Sequence, residues 1–352
     1  MGNFLDWFME PVKEVFEEPI REILPRNANG TFKVNSLAKE ETIVPTEPGA
    51  IIKSKSKFFR PKTWDEYIGQ TKVKNIMKSY IEAMIRRKQV LGHVLIHGQA
   101  GTGKTTLAEI IANELQVKIQ ELIGSSVNRV GSVVKMIQRV NKGVLFIDEV
   151  HAVDRNTTEQ LYPIMEDFKF MGNKIKPFTL IGATTELGEI IQDRKPFFDR
   201  FKIIIELDDY TTSEMVEIVK QYKDKVFMAD EVIKEDYIKI AQNCRGVPRR
   251  AIRLLEARVY LSDMKQVLKN FRIIKEGYTD KDLKTLEYIA NCDKGVGMQS
   301  IASYLGTSVK GYLYEIEPYL LQSGVISRTV RGRRITDIGV KKIKELKKEV
   351  IW

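Results

Sequence analysis

The stretch Gly98-Gln99-Ala100-Gly101-Thr102-Gly103-Lys104-Thr105 decides the fold of this 352-residue chain. An apolar run precedes it, and a helical pattern follows it. Glycines in such a loop let consecutive backbone N–H groups turn toward phosphate oxygens, and the helix start adds the positive end of its dipole. The lysine then reaches the terminal phosphates, and the hydroxyl after it binds Mg²⁺. The sequence therefore predicts a P-loop for ATP, with the nucleotide held by Gly101, Gly103, Lys104, Thr105 and Thr106 and the metal by Thr105.

A second apolar strand, residues 144–147, ends in the carboxylates of Asp148 and Glu149. Phosphoryl transfer requires a metal clamp and a positioned water molecule. We therefore predict that Asp148 holds Mg²⁺ and that Glu149 polarises the attacking water. His151 follows two residues later and has two interpretations, a structural histidine or a link between DNA binding and hydrolysis.

Further positions are candidates for completing the nucleotide site. Thr184 and Thr185 end another buried strand, where a hydroxyl can sense the γ-phosphate or simply cap the strand. Arg200 can reach a neighbouring subunit's nucleotide as an arginine finger, or pair locally with Asp199. Arg249 opens a predicted helix, from which it can approach the phosphates as a second sensor or remain a basic first turn.

The spacing of apolar residues predicts the fold class and four segments. Beyond residue 58, short β-branched runs alternate with helical stretches, a pattern typical of a parallel α/β sheet. Strands then give way to helices, and the C-terminal part ends in two short strands around a basic turn, as in a winged helix. The predicted segments are an N-terminal segment and linker (1–57), an ATPase subdomain (58–210), a helical lid (211–274) and a winged-helix domain (275–352).

Four arginines crowd the predicted C-terminal hairpin: Arg328, Arg331, Arg333 and Arg334. Such a density fits contact with DNA phosphates or a groove, and a solvated basic turn is the alternative. The whole chain carries 57 Lys and Arg against 47 Asp and Glu, a net charge of +10, which favours a polyanionic partner.

Composition also excludes several classes of protein. The two cysteines, Cys244 and Cys292, have no spacing that suggests a disulfide framework or a zinc site. No apolar run approaches the roughly 20 residues of a membrane span, and the N-terminus lacks the features of a signal peptide. We therefore expect a cytoplasmic protein with no membrane partner.

The N-terminus has a pattern of its own. Residues 4–16 place apolar side chains at helical spacing beside many acidic ones, and residues 25–57 are rich in linker-type residues. We predict an acidic amphipathic helix that docks on a protein partner or on the chain's own body.

Several motifs together resemble the RuvB family of Holliday-junction branch-migration helicases, which are AAA+ ATPases. They include the P-loop, the run Tyr162-Pro163-Ile164-Met165-Glu166-Asp167-Phe168, Asp199-Arg200-Phe201, and Glu317-Pro318-Tyr319-Leu320. The resemblance covers about residues 58–340. It implies a P-loop AAA+ sheet with a helical lid and a C-terminal winged helix, a hexameric ring around duplex DNA, and ATP bound between subunits.

The resemblance also assigns individual residues. Arg60 and Ile68 would flank the adenine, and Tyr210 would line the nucleotide pocket. Glu166, Asp167 and Phe168 would belong to the nucleotide site, Arg200 would be the finger, and Arg249 the second sensor.

One departure from the family pattern concerns the partner. Members of the family carry a longer hairpin that docks the junction-binding protein RuvA, whereas only residues 169–176 remain here, enough for a tight hairpin at Gly172-Asn173. We expect docking of a RuvA-like partner by that route to fail.

The function expected from these patterns is an ATP-driven ring motor that moves duplex DNA and drives branch migration of four-way junctions in recombination and repair. Two alternatives stay open at this point. A clamp or helicase loader shares every nucleotide motif, and a winged-helix DNA-binding scaffold would use ATP only to assemble.

Overall fold

The computed structural model describes residues 58–349, with the exception of Ala229 and Asp293. The predicted N-terminal helix and linker lie outside these residues. Within the described part of the chain, no helix combines the length and apolar character that crossing a membrane requires.

The first subdomain alternates helices and strands, as the apolar runs predict. Its elements are α1 (Thr71–Arg87), β1 (Val94–His97), α2 (Lys104–Glu114), β2 (Ile119–Ile123), α3 (Val130–Val140), β3 (Val144–Asp148), α4 (Arg155–Glu166), β4 (Lys169–Phe170), β5 (Asn173–Lys174), β6 (Thr179–Thr184), α5 (Leu187–Asp193), α6 (Lys195–Phe198) and β7 (Ile203–Glu206). Five strands pair in parallel in the order β2-β3-β6-β1-β7. The fold class is therefore the predicted one. The edge strand β2 was not predicted, because its polar Gln120 and Glu121 interrupt the apolar run.

Both faces of this sheet are buried, and the two-residue period of a strand divides its side chains between them. Val94 and Ile96 pack with α1 and α2 on one face, whereas Leu95 packs with α3 and α4 on the other. The P-loop follows β1, Asp148 ends β3, and Thr184 ends β6. Because β3, β6 and β1 are neighbours and parallel, these three chemistry-bearing positions meet at one edge of the sheet.

Four helices follow and share a separate hydrophobic cluster. They are α7 (Thr212–Val226), α8 (Lys234–Asn243), α9 (Pro248–Leu261) and α10 (Met264–Asn270). Thr211 and Glu214 form a reciprocal capping box at the start of α7, and Pro248 opens α9, where its missing N–H costs no helical bond.

The C-terminal part has the helices and the antiparallel hairpin of a winged helix. It contains β8 (Ile273–Lys275), β9 (Tyr278–Thr279), α11 (Asp280–Ala290), α12 (Met298–Tyr304), α13 (Val309–Gly311), a π-helical turn (Tyr312–Ile316), α14 (Glu317–Gln322), β10 (Ile326–Thr329), β11 (Gly332–Ile335) and α15 (Asp337–Glu349). The predicted boundary between residues 274 and 275 falls inside β8.

One continuous helical stretch, residues 309–322, runs through α13, the π-helical turn and α14, and we call it the third helix of the winged-helix domain. Pro318 has no N–H to donate to the carbonyl of Tyr314, so a regular α-helical bond is impossible there. The helix widens into the π-helical turn over the residues immediately before it.

Candidate functional site

The P-loop passes between β1 and α2 with its glycines in conformations that other residues avoid. Gly101 has φ +85° and Gly103 has φ +106°. A Cβ at Gly101 would lie 2.9 Å from the Cβ of Arg249 and 3.1 Å from Cγ1 of Val247. Glycine is therefore required both by the backbone conformation and by the close approach of the lid. The result is a side-chain-free backbone cradle, which suits phosphate oxygens.

Lys104 is buried at the bottom of this cradle, with 6% of its surface exposed. Its Nζ donates to the carbonyl oxygens of Gly98 and Gln99, both at 2.9 Å. Burial lowers the pKa of Lys104, while the charges of Glu149 and Asp148 oppose that shift and Arg249 adds to it. The fold thus brings the lysine, both carboxylates and the lid arginine into electrostatic contact.

A cavity of about 510 Å³ lies beside the P-loop, between the sheet subdomain and the lid. Most residues that the sequence assigned to the nucleotide and its metal line this cavity: Arg60, Ile68, Gly101, Gly103, Lys104, Thr105, Thr106, Asp148, Glu149, Tyr210 and Arg249. The hydroxyl of Thr105 and the carboxylate of Asp148 are oxygen ligands of the kind that Mg²⁺ prefers, so the donor set fits that ion.

Sequence reasoning missed the apolar wall of this cavity. Phe58, Phe59 and Tyr67 contribute from one side, and Tyr222 and Ile252 from the lid. Adjacent aromatic residues just before Arg60 were a detectable signal. No sequence signal marks Tyr222 and Ile252, because only the packing of α7 and α9 brings them to the P-loop.

Tyr210 supports the loop directly. Its hydroxyl donates to the carbonyl oxygen of Thr102 at 3.0 Å, and the side chain is buried. Arg60, at the cavity mouth, forms an ion pair with Glu109 of α2. Both contacts fix residues around the nucleotide cavity.

The two threonines at the end of β6 have different surroundings. Thr185 Oγ1 donates to Glu149 Oε2 at 3.2 Å. Thr184 is fully buried, lies 2.9 Å from Nδ1 of His151, and accepts from the N–H of Glu186. Of the two predicted sensors, Thr185 therefore contacts Glu149, whereas the Thr184 hydroxyl contacts His151 and Glu186; which of them senses the nucleotide stays a prediction.

Arg200 lies outside its own chain's nucleotide cavity. Its guanidinium forms an ion pair with Glu166 at 3.2 Å and stacks 4.1 Å from the ring centroid of Tyr162. It also donates to the carbonyl oxygen of Pro196. Among the described residues, Arg200 therefore pairs with Glu166 of α4. The alternative to a finger was a local pair with the adjacent Asp199, and the described part of the structure does not contain that pair.

Glu166, Asp167 and Phe168 are likewise absent from the cavity lining of their own chain. Phe168 packs edge-on against His93 and Phe178 instead. Their assignment to the nucleotide site therefore stays a prediction, which the lining of this cavity does not support within one chain.

The basic hairpin divides its four arginines into two pairs. Arg328 and Arg333 both bond the carboxylate of Glu317, whose side chain is completely buried. Burial alone would raise the pKa of Glu317, but the hydrogen bonds from Arg333 and Arg328 lower it. Arg331 and Arg334 are exposed. Arg333 is thus mostly enclosed beside Glu317, whereas Arg328 is shared between Glu317 and solvent. Contact of the four arginines with DNA stays a prediction.

The short hairpin of residues 169–176 consists of β4 and β5 joined by a tight turn. Met171 and Gly172, with φ +47° and +78°, form that turn. It is one residue earlier than predicted, since Asn173 already pairs with Phe170.

Two family models match the chain in separate regions. The model of the P-loop domain of the Holliday junction DNA helicase RuvB covers residues 59–207. The model of the RuvB C-terminal winged-helix domain covers residues 275–344.

Known proteins of this family are similar over most of the chain. The RuvB subunit of the Holliday junction branch migration complex from Thermotoga maritima is 39% identical over 319 residues, which span 83% of this chain and 93% of that protein. The corresponding subunit from Mycoplasma genitalium is 35% identical over 299 residues, 79% of this chain and 95% of its own length. A solved structure of the Thermotoga maritima RuvB Holliday junction branch migration motor superposes with a TM-score of 0.72 at 38% identity, covering 81% of this chain and 98% of that one. These two family models and the identity over most of the chain show that the protein belongs to the RuvB family.

Proposed function

We propose that this RuvB-family ATPase is a ring motor that moves duplex DNA and drives branch migration of four-way junctions in recombination and repair. The observation that carries the proposal is the joint presence of a complete P-loop cavity and an exposed basic wing, Arg331 and Arg334, in one chain of this family. A motor needs both an ATP site and a DNA contact.

The proposed roles follow the geometry of the cavity. Lys104 neutralises the terminal phosphates, Glu149 polarises the attacking water, and Thr185 holds the Glu149 carboxylate through its 3.2 Å bond. Thr105 and Asp148 would hold Mg²⁺, which supplies charge neutralisation on the phosphates when bound. Arg249 contacts the P-loop from the lid and so relates lid position to the nucleotide.

Arg200 is proposed to act on the nucleotide of a neighbouring subunit. It cannot serve its own cavity, since it lies with α4 and Tyr162. Its Nε is buried without a hydrogen-bond partner among the described residues, so its present position leaves one donor unsatisfied. A finger supplied in trans requires a closed assembly, and we propose a homo-hexamer. Glu166 and Asp167, exposed beside Arg200, would lie at the same subunit interface.

The partner is proposed to differ from a standard RuvA. The hairpin of residues 169–176 has two-residue strands, carries Lys169, Lys174 and Lys176, and exposes a single large apolar side chain, Met171. Such a hairpin lacks the apolar area that a stable docking ribbon needs. The N-terminal amphipathic segment is proposed to recruit this motor's own junction-binding or loading factor instead.

Deleting residues 1–24 tests the recruitment proposal. ATP hydrolysis on naked DNA should stay intact, while a partner captured with the full chain from its native cell should no longer be recovered. Retention of the same partners by the truncated protein, or tight binding to a standard RuvA, would contradict the proposal.

A synthetic four-way junction with a labelled strand tests the motor itself. Incubation with the protein and ATP should convert the junction into two duplexes, and no conversion should occur with a non-hydrolysable analogue. DNA-dependent hydrolysis without junction conversion would favour a clamp or helicase loader. ATP and DNA binding without any DNA-dependent turnover would favour the scaffold.

A further inference from the structure

A chain of polar contacts joins the catalytic glutamate to the DNA-binding domain. Glu149 Oε2 lies 3.3 Å from Nδ1 of His151, and Nε2 of the same imidazole lies 3.6 Å from Oε1 of Glu186. The hydroxyl of Tyr314, on the third helix of the winged-helix domain, donates to that same Glu186 oxygen at 3.0 Å. Four side chains thus span from the ATP cavity to the winged helix.

We propose that Tyr314 and Glu186 are positioning residues that couple DNA engagement by the winged-helix domain to ATP hydrolysis, by setting where His151 holds the Glu149 carboxylate. The inference rests on the proposed motor function and names the route by which DNA would reach the catalytic glutamate. It also gives His151 a role in the chain of contacts beyond that of a structural histidine.

Contacts with Thr184 restrain the two middle members of this chain, His151 and Glu186. His151 Nδ1 also contacts the buried Thr184 hydroxyl at 2.9 Å, and the N–H of Glu186 donates to that hydroxyl. The imidazole therefore lies between the carboxylates of Glu149 and Glu186. A shift of Glu186 would change the distance from the imidazole to each of them. Glu149 has few other restraints, since its second described side-chain bond is the one from Thr185.

The Tyr314 end is placed where the winged-helix domain meets the ATPase subdomain. Tyr314 lies in the π-helical turn, a local widening that often marks functional positions, and 57% of its surface is exposed. A cavity of about 910 Å³ lies beside it, and Glu149, His151, Glu186 and Tyr314 all line this cavity. The four side chains of the contact chain therefore border one space between the ATP site and the winged helix.

The same helix makes a second contact with the nucleotide site. Gln322, at its C-terminal end, accepts from Gln99 of the P-loop at 3.2 Å and donates to Asp209. A displacement of the helix on DNA would therefore change contacts at the P-loop and at Glu149 together.

The Tyr314 hydroxyl also affects the charge of Glu186. Burial raises the pKa of Glu186, but hydrogen bonds from Glu189 and from the Tyr314 hydroxyl lower it overall. The bond from Tyr314 therefore helps to keep Glu186 anionic beside His151.

The test uses Tyr314→Phe, which removes only the hydroxyl, and Glu186→Ala, which removes the carboxylate. ATPase kcat, KM for ATP and duplex affinity are measured for the full chain, with and without saturating DNA. We expect the ratio of DNA-stimulated to DNA-free kcat to fall about fivefold in either variant, the factor that one hydrogen bond commonly contributes. KM and duplex affinity should stay within twofold of wild type. The double variant should show no further decrease, because both changes break one route.

Tyr304→Phe is the matched control, since Tyr304 is a comparably exposed tyrosine of the same domain, stacked on Tyr288. It should keep the wild-type ratio. An unchanged ratio in Tyr314→Phe, or decreases that add in the double variant, would overturn the inference while leaving the motor intact. If wild-type hydrolysis itself does not respond to DNA, the proposed function fails first.

Discussion

At the scale of single residues, the nucleotide site divides into groups that bind and groups that act. Lys104 has its ammonium group inside the P-loop, bonded to two loop carbonyls. Glu149 reaches the same cavity but bonds only through Thr185 and His151 among the described side chains. These surroundings agree with the proposed roles, Lys104 in ATP affinity and Glu149 in the chemical step.

Replacing these two residues should separate binding from turnover. Lys104→Ala should abolish ATP binding, because it removes the charge that faces the terminal phosphates. Glu149→Gln should bind ATP within a fewfold of wild type and hydrolyse it about a hundredfold more slowly or worse, since an amide cannot polarise water as a carboxylate does. Filter binding and a phosphate-release assay measure the two properties. Wild-type turnover by Glu149→Gln would exclude Glu149 as the water activator.

At the scale of elements, the wing and the sheet each contain a buried ionisable side chain, Glu317 and His93, whose bonds link separate elements. The sequence pattern does not reveal these bonds. In the wing, β10 and β11 place Arg328 and Arg333 opposite each other, and both guanidinium groups converge on Glu317 of α14. In the sheet, His93 links α4 to β6 through its two ring nitrogens. The wing contacts lead to a prediction about DNA binding and stability, and the His93 contacts to one about stability in acid.

The wing arginines should have separable effects. Arg331→Ala and Arg334→Ala should weaken duplex binding equally across sequences and lower the log–log salt slope by about 0.9 for each DNA phosphate that is no longer neutralised. Arg333→Ala should instead lower the unfolding free energy by roughly 2–3 kcal/mol, since buried Glu317 would keep only Arg328. Salt titrations of DNA binding and denaturant titrations separate the two outcomes. An unchanged salt slope in Arg331→Ala and Arg334→Ala would make the wing a solvated turn.

His93 should make the ATPase subdomain sensitive to acid. Its Nδ1 accepts from the N–H of Leu180, so Nε2 carries the proton that bonds the Met165 carbonyl, and burial lowers its pKa to about 4. The folded state favours neutral His93, so this stability is complete above the unfolded pKa of about 6.5 and is lost as pH falls from there toward 4, by about 3 kcal/mol.

Denaturant midpoints between pH 7 and pH 4 measure this effect. His93→Gln should be less stable at pH 7 and should lose less stability on acidification than wild type. A variant with the full wild-type pH dependence would show that carboxylates, not His93, cause the acid sensitivity.

At the scale of the whole molecule, the proposed arginine finger lies outside the ATP cavity of its own chain. Arg200 is held by Tyr162 and Glu166, outside the cavity that contains Lys104 and Glu149. If Arg200 acts as proposed, a second copy supplies it, and activity should depend on the composition of the proposed ring.

Mixed rings test that dependence. Arg200→Ala should bind ATP nearly normally and hydrolyse it at least tenfold more slowly. Mixing it with Lys104→Ala, whose own Arg200 is intact, should restore part of the activity, because the Lys104→Ala subunit then supplies a finger to a neighbouring site that still binds ATP. Mixing Arg200→Ala with the double variant Lys104→Ala/Arg200→Ala is the matched control and should restore nothing. Absence of rescue in the first mixture would place Arg200 outside the reaction.

The sequence by itself determined the parts of this protein in which chemistry and local structure share one stretch of chain. The P-loop, the strand ending in Asp148 and Glu149, the parallel α/β class and the basic hairpin all follow from short-range spacing, because backbone geometry imposes the period of two in a strand and the glycine positions of the loop. The tertiary structure alone decided which partner each charged side chain takes. Arg333 meets Glu317, Arg200 meets Glu166, Thr185 but not Thr184 meets Glu149, and Tyr314 meets Glu186. Local periodicity constrains only neighbouring residues, whereas these pairs depend on how separate elements pack.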